Sequence, residues 1–245
     1  LWTRTSNGSF IEEGKATRIN SNPLVNWVCK FFDYDLDGDL DIFFTVGTVT
    51  PYLTLNKNSL FVNKGDGTFV DIINSESELY LEGGLEKTQG GALADYDNDG
   101  DLDIVTGSSN GPVRLFKNNA VEETGRHWLM INLVGADLNT AGIGSKVWVE
   151  VNENQVQHTQ VYACSGTFGC HDQRLHFGLN ESTSVKSVTV QWPNGQVEKI
   201  ENVQADQILD IYQKSIESES VTSLPWSMAL ISLVALLMVI LYRKN

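Results

Sequence analysis

The feature that most constrains this chain is a nine-residue acidic stretch that occurs twice, at residues 33–41 (loop 1) and 95–103 (loop 2). The copies read DYDLDGDLD and DYDNDGDLD and differ at one position. Aspartate fills every odd position of both loops; these residues are Asp33, Asp35, Asp37, Asp39 and Asp41, and Asp95, Asp97, Asp99, Asp101 and Asp103. Carboxylates this close repel one another, and a Ca²⁺ ion, which takes about six to eight oxygen ligands, would offset the repulsion. We therefore predict one Ca²⁺ site in each loop.

The flanking residues exclude an EF-hand, which needs a bidentate Glu at its twelfth position and a helix on each side. The twelfth residues here are Phe44 and Thr106, and residues 28–32 before loop 1 are largely β-branched or aromatic. We expect a strand–loop–strand unit instead. The first, third and fifth aspartates would ligate through side chains, the seventh through its carbonyl, and the ninth would close the cage. A solvated acidic turn without metal is the alternative.

The two loops belong to a longer repeat. The motif L-F-x-N follows each loop, at residues 60–63 and 115–118, and the first copy continues into G-D-G-T-F at 65–69. Residues 1–10 match the same L-F to T-F segment, so we expect the chain to begin inside a repeat and to be the C-terminal part of something longer. The first unit has seven more residues between its loop and L-F than the second, which predicts an insertion around residues 49–58.

A short apolar strand, the acidic loop, L-F-x-N and G-D-G-T-F together resemble the FG-GAP or VCBS repeats of integrin-like β-propellers. The resemblance covers roughly residues 1–120 and implies calcium loops between adjacent strands of a blade. Propellers close with about four to eight four-stranded blades. About two blades' worth of sequence is present, so we expect an incomplete propeller whose closure needs further N-terminal sequence.

Residues 127–212 show a different pattern, with short alternating runs of apolar and polar residues. Asn194-Gly195 between two runs is a hairpin signal. Strands are predicted at 128–134, 146–151, 155–162, 185–192, 197–200 and 208–212, with a further strand in R-L-H-F-G-L at 174–179. This pattern favours a small antiparallel β-sandwich or barrel. The overall expectation is an all-β fold.

Four ordered motifs in this second region resemble the ASPIC/UnbV domain. They are HWL…LVG at 127–135, N…AGIGSKV at 139–147, RLHFGL at 174–179 and VTVQWPNG at 188–195. That domain accompanies calcium-type propeller repeats in the cartilage acidic protein family and its bacterial relatives. The resemblance implies an extracellular calcium-binding protein of poorly defined molecular activity, and it supplies no catalytic residues.

The three cysteines suggest one disulfide. Cys164 and Cys170 are six residues apart and can bridge a tight loop in an oxidising compartment. A metal site made of these two cysteines with His171 and His176 is the alternative, although its spacing fits no standard zinc pattern. Cys29, on the strand before loop 1, is expected to be a buried core thiol.

The C-terminal region also contains residues that could carry out acid–base chemistry. His171 and Asp172 are adjacent, but no nucleophile stands out near them. Arg174 and His176 are expected to be packed parts of a strand. We therefore expect a protein that is not an enzyme, with an enzyme or accessory factor of secondary metabolism as the alternative, as kinship with UnbV suggests.

The acidity of the chain is largely a property of the two loops. The formal net charge is −14, and the ten loop aspartates account for most of it, leaving about −4 for the remainder. Two bound Ca²⁺ ions would bring the total to about −10. No stripe of Lys and Arg is present to meet phosphates, so nucleic acid is disfavoured as a partner.

The C-terminal residues predict a membrane anchor. Residues 220–242 carry no charge, and 226–241 are dense in apolar side chains, enough for one bilayer crossing. Arg243 and Lys244 follow directly, which places the C-terminus in the cytoplasm. We expect a stalk at 213–223, a transmembrane helix at 224–242 and a cytoplasmic tail at 243–245. A processed sorting signal is the alternative.

These expectations combine into one hypothesis. The chain would be a single-pass cell-membrane protein whose N-terminal bulk is extracellular or periplasmic, with propeller repeats at 1–120 and an ASPIC/UnbV-like domain at 127–212. Its function would be binding or adhesion towards an unknown extracellular protein or glycan, with two structural Ca²⁺ ions holding the blade loops rigid.

Overall fold

The computed structural model describes residues 2–14, 17–19, 26–47, 58–74, 77, 87–136, 138–164 and 169–215. Residues 1–212 form one compact unit, and a second unit covers 213–245, of which 213–215 are described. The predicted insertion falls on residues 49–58, of which only Asn58 is described.

The loop-bearing region contains three antiparallel sheets. Their strands are β1 (Trp2–Arg4) and β2 (Phe10–Glu12), β3 (Asn26–Phe32), β4 (Asp41–Val46), β5 (Ser59–Asn63) and β6 (Phe69–Asp71), and β7 (Thr88–Ala94), β8 (Asp103–Ser108) and β9 (Arg114–Phe116). The second sheet has the order β3-β4-β5-β6 and the third β7-β8-β9. Loop 1 joins β3 to β4, and loop 2 joins β7 to β8, which is the strand–loop–strand arrangement predicted from the flanking residues.

The hairpin formed by β1 and β2 repeats the turn between β5 and β6. The Asn7 side-chain oxygen accepts a hydrogen bond from the Ser9 backbone N–H at 3.0 Å, and Asp66 accepts one from the Thr68 N–H at 2.9 Å. Short Asn and Asp side chains favour such turns because they bond to the backbone two residues further on. The sequence match of residues 1–10 with 60–69 therefore corresponds to the same local structure.

The C-terminal region is a two-layer sandwich. Its strands are β10 (His127–Val134), β11 (Lys146–Asn152), β12 (Gln155–Gln160), β13 (Leu175–Asn180), β14 (Ser184–Gln191), β15 (Val197–Gln204) and β16 (Gln207–Tyr212). One sheet has the order β13-β10-β16 and the other β12-β11-β14-β15. Fully buried side chains such as Leu129, Val147 and Val188 fill the space between them. The pairing of β10 with β16 is parallel, so the expected antiparallel arrangement holds only for the other pairs.

Strand β10 serves two cores because successive side chains of a strand point to opposite faces. Leu129 and Ile131 belong to the sandwich core, whereas Trp128 and Met130 belong to a second core. That second core also contains Phe43 of β4, from the loop-bearing region. The apolar faces of the repeat strands thus pack against the C-terminal region.

The predicted fold class needs correction. Among the described residues the strands form five open sheets, and they do not close into a propeller. The repeat strands share their core with β10 rather than completing a ring. In this part of the chain no helix is long and apolar enough to cross a membrane. The predicted transmembrane helix at 224–242, the cytoplasmic tail at 243–245 and most of the stalk lie outside the described residues.

Two smaller differences concern single segments. The segment expected to be a linker contains a short helix, α1 (Ala120–Thr124), whose Ala120 is buried in the second core. Cys29 was expected to be buried, but its side chain is exposed on β3. Strand alternation accounts for this, because Val28 takes the buried face and Cys29 the opposite one.

Candidate metal centres in two acidic loops

The backbone of both loops is organised by their first aspartate. In loop 1 the two carboxylate oxygens of Asp33 accept hydrogen bonds from the Asp37 and Gly38 N–H groups, at 3.1 and 2.9 Å. In loop 2 Asp95 makes the same bonds at 3.1 and 3.2 Å. The sixth residue of each loop is a glycine with positive φ, 92° and 100°, a conformation that glycine adopts without strain.

The ninth aspartate ties each loop to the following strand. Asp41 accepts hydrogen bonds from the N–H groups of Tyr34 and Asn63, both at 2.7 Å. Asp103 accepts the equivalent pair of bonds in loop 2. The Asn of L-F-x-N has a local role in both copies, because its side-chain amide also donates to the backbone carbonyl just before the ninth aspartate, that of Leu40 or of Leu102.

Three of the five aspartates in each loop converge on one point. One carboxylate oxygen from each of the first, third and fifth aspartates lies within 4.8 Å of the others; these are Asp33, Asp35 and Asp37 in loop 1, and Asp95, Asp97 and Asp99 in loop 2. They are the three aspartates of each loop that were predicted to ligate through their side chains. Among the described residues these are the two groups whose geometry could hold a metal ion.

The remaining predicted ligands lie at the edge of these clusters. Asp39 is exposed, and its backbone N–H donates to Asp37. Asp101 is buried, and its carboxylate accepts hydrogen bonds from the Val121 N–H at the start of α1. Neither side chain belongs to the converging groups, and the carbonyl oxygen stays the ligand that we predict for the seventh position.

Burial raises the pKa values of several loop carboxyls. In loop 1 the pKa of Asp33 is raised to about 8 and that of Asp41 to about 7, first by burial and then by neighbouring negative charges, against hydrogen bonds from backbone N–H groups. In loop 2 burial raises the pKa of Asp101 to about 6. Buried, mutually close carboxylates are stabilised by a proton or a cation.

Each loop also contacts a basic side chain that the sequence analysis did not single out. In loop 1 a guanidinium nitrogen of Arg126 lies 3.1 Å from one oxygen of Asp35 and donates to its backbone carbonyl. In loop 2 the Lys117 ammonium bridges Asp97 and Asp99, at 2.5 and 3.0 Å. The sequence signal for Lys117 was its place in L-F-K-N, where the first copy has Val62.

The donor sets fit Ca²⁺, but not equally. Ca²⁺ prefers carboxylate and carbonyl oxygens. In loop 1 the second oxygen of Asp35 is buried and has no hydrogen-bond partner, which is costly unless a cation or water meets it. In loop 2 the corresponding Asp97 is held by Lys117, and this contact lowers its pKa. A cation entering loop 2 would have to displace the ammonium group.

The residues considered for acid–base chemistry lie beside loop 2. His171, Asp172 and His176 line one cleft with a volume of about 200 Å³. Each has a structural contact: His171 accepts a hydrogen bond from the Leu93 N–H at 2.9 Å, and Asp172 pairs with Arg174. Burial lowers the pKa of His176 to about 4, so its ring is neutral at physiological pH.

The two cysteines near this cleft are joined. Cys164 and Cys170 form a disulfide, with Cα atoms 4.8 Å apart. Their sulfur atoms are therefore not thiolate ligands, which removes the alternative zinc site that combined them with His171 and His176. Cys29 is the free thiol.

Comparison with known proteins gives two family matches. Residues 33–106 match the FG-GAP-like repeat family, and residues 135–218 match the ASPIC and UnbV family. The chain is 54% identical over 61 residues to cartilage acidic protein 1 of Xenopus tropicalis and 48% identical over 59 residues to that of Homo sapiens. Each match covers 24% of this chain and 9% or 8% of the relative, so the chain matches less than a tenth of either relative's length. Both resemblances read from the sequence motifs are thus confirmed: the chain carries FG-GAP-like repeat sequence followed by an ASPIC and UnbV region.

Proposed function

We propose that this chain is part of an extracellular calcium-binding module. Ca²⁺ ions in loops 1 and 2 would tie the ends of β3 to β4 and of β7 to β8 and keep the blade loops rigid for a protein or glycan partner. The two family matches and the name of the relatives, cartilage acidic protein 1, support an extracellular binding role. The role of the metal would be structural.

The observation that carries this proposal is the convergence of three carboxylates in each loop. In loop 1 one oxygen of Asp35 is buried without a hydrogen-bond partner, and a cation there would stabilise it. The ion itself would supply that charge and bridge strand ends that otherwise repel. The first and fifth aspartates of each loop already accept hydrogen bonds from backbone N–H groups, so binding the ion needs to order few further side chains.

The ligands come from within the loops, which favours a structural over a catalytic metal. The first aspartate of each loop is buried, and residues of the C-terminal region donate hydrogen bonds to both loops. A catalytic metal needs a position open to substrate. A structural ion instead stabilises the folded state by binding it and not the unfolded chain.

The test combines calorimetry with thermal unfolding. Calcium titration should give two binding events per chain, and excess chelator should lower Tm. Asp37→Ala and Asp99→Ala should each remove one event and lower Tm in calcium, whereas Glu201→Ala, at an exposed acid on β15, should change neither. Absence of calcium uptake at millimolar concentration, or an unchanged Tm in chelator, would contradict the proposal.

An enzyme or accessory factor of secondary metabolism is the second candidate, favoured by one observation. His171, Asp172 and His176 face the same cleft. Their contacts support the binding module more strongly, because each already makes a hydrogen bond within the protein. A crystal structure with a small molecule held between the two imidazole rings would favour the enzyme instead.

A further inference from the structure

Strand β13 contacts both acidic loops with one of its faces. Its alternate residues Leu175, Phe177 and Leu179 are buried in the sandwich core. The residues between them, together with Arg174 just before the strand, therefore lie on the opposite face. That face meets loop 2 with its first half and loop 1 with its second half.

The first half of this face holds loop 2. Arg174 donates to the Asp95 backbone carbonyl at 2.7 Å and to the Asn98 side chain at 2.6 Å. His176 Nε2 lies 2.8 Å from the Gly100 carbonyl, so the neutral ring carries its proton on Nε2 and donates it. Asp172 bonds to the Arg174 guanidinium and orients it.

The second half of the face holds loop 1. The Asn180 N–H donates to the Leu36 carbonyl at 2.9 Å. Gly178 lies directly against loop 1, since a side chain there would overlap a carboxylate oxygen of Asp33 and the backbone of Leu36. Only glycine lets the strand approach a predicted metal ligand this closely.

We infer that β13 couples the two calcium loops to each other and to the C-terminal sandwich, with Arg174 and Gly178 as positioning residues. This inference rests on the proposed function. An ion that orders one loop fixes one half of the strand, so the other half is already aligned when the second ion binds. Sharing the cost of ordering makes the two sites positively cooperative without any shared ligand. The motif R-L-H-F-G-L then has two roles, since its apolar residues pack in the sandwich core and its other residues contact the loops.

The experiment is hydrogen exchange with and without calcium, followed by mass spectrometry. Calcium should slow exchange in a peptide containing Leu175–Asn180 by about tenfold, which corresponds to about 1.4 kcal/mol of added local stability. The hairpin of β14 and β15, which belongs to the other sheet, is the internal control and should change much less. Asp99→Ala should remove part of the protection of β13, and Asp37→Ala another part.

A second measurement keeps the inference independent of local exchange. Calorimetry should show that Arg174→Ala weakens calcium binding at loop 2 about tenfold and also weakens it, by a smaller factor, at loop 1. Arg174→Lys should recover part of the loss. The matched control is Lys186→Ala, which removes an exposed cation paired with Glu150.

The outcomes separate the inference from the function on which it rests. No calcium binding in the calorimeter overturns both. Calcium binding with unchanged exchange in β13, or equal slowing in β13 and in the β14–β15 hairpin, overturns the coupling and leaves the calcium sites standing. Selective protection of β13, with a remote effect of Arg174→Ala on loop 1, supports it.

Discussion

The two acidic loops have nearly the same sequence but different surroundings. Their single difference is Leu36 in loop 1 against Asn98 in loop 2, and both residues have positive φ, 63° and 59°. Leu36 is fully buried in the second core, whereas Asn98 is exposed and bonds to Arg174. Asn tolerates this conformation and Leu does not, so burial must stabilise the strained Leu36.

The charged groups around the two loops also differ. Loop 1 has strongly raised pKa values at Asp33 and Asp41 and a partnerless oxygen on Asp35. Loop 2 has its third and fifth aspartates bridged by Lys117. The comparison indicates that a repeated ligand motif does not fix affinity. We expect loop 1 to bind Ca²⁺ more tightly than loop 2, because Arg126 contacts one of its three converging aspartates and leaves a buried oxygen of Asp35 without a partner, whereas Lys117 holds two of the three in loop 2.

The largest effect is expected from Gly178→Ala, which acts directly on loop 1. The added methyl group must displace Asp33 or the backbone of Leu36, and overpacking of this kind costs about 3 kcal/mol. Tm should fall by about 6–10 °C, and calcium binding at loop 1 should weaken. The matched control is Gly107→Ala on β8, where a methyl group meets open space and Tm should hold. Equal behaviour of the two variants in thermal unfolding and calorimetry would show that β13 does not press on loop 1.

The next effect compares the third aspartate of each loop. Asp35→Asn should weaken binding at loop 1 about 100-fold, and Asp97→Asn should weaken binding at loop 2 about tenfold. Each of these aspartates has a basic partner, Arg126 or Lys117, but one oxygen of Asp35 is buried without a hydrogen-bond partner whereas Asp97 is exposed, so the ion gains less from Asp97. Calorimetry on each single variant measures both losses. A larger loss for Asp97→Asn would reverse the ranking of the two loops.

Sequence patterns predicted the positions of the strands better than they predicted which strands pair. Alternation of apolar and polar residues identified the C-terminal strands, since a half-buried strand has a period of two. It placed β15 at 197–200, but the strand continues to Gln204, where consecutive polar residues hide the pattern. The parallel pairing of β10 with β16 has no local signal, because no turn connects those strands. The packing of the repeats against β10 is equally non-local.

The part of the candidate site that is formed by residues close together in the sequence could be predicted. Alternate aspartates around a glycine predicted the two clusters and the turn between strands. Arg126 was missed because it reaches Asp35 from 91 residues further along the chain, and Arg174 meets loop 2 across a similar separation. Lys117 could have been found, since it replaces Val62 in an otherwise matching motif. That replacement is the sequence difference that separates the two loops most clearly.

Replacing Lys117 tests how far this residue separates the two loops. Lys117→Val, which gives loop 2 the residue found after loop 1, should strengthen calcium binding at loop 2 by about three- to tenfold. The ion no longer displaces an ammonium group from Asp97 and Asp99. The gain should shrink at high salt, because exposed ion pairs are screened. Calorimetry at two salt concentrations measures it, with Lys186→Val as the control, and an unchanged affinity would show that Lys117 does not compete with the ion.

The last effect is a pH dependence in the absence of calcium. The carboxyls of Asp33 and Asp41 have folded-state pKa values of about 8 and about 7, far above the 3.8 of an unperturbed Asp. Their protons are held more tightly by the folded chain, so the stability they contribute is complete below about pH 4 and is lost as pH rises through about 7 to 8. In chelator, Tm should therefore fall as pH rises from about 5 to about 8.

Calcium and substitution should both flatten this slope. Saturating calcium replaces the protons in both loops and should abolish the fall, because the bound ion stabilises the ionised carboxylates throughout this pH range. In chelator, the pair Asp33→Asn and Asp41→Asn should flatten the curve up to about pH 8, whereas Asp101→Asn should alter it only up to about pH 6. Thermal unfolding across pH measures each curve. If Asp101→Asn flattened the curve more than the loop 1 pair, the uncompensated charge would lie in loop 2, and the ranking of the two sites would have to be inverted.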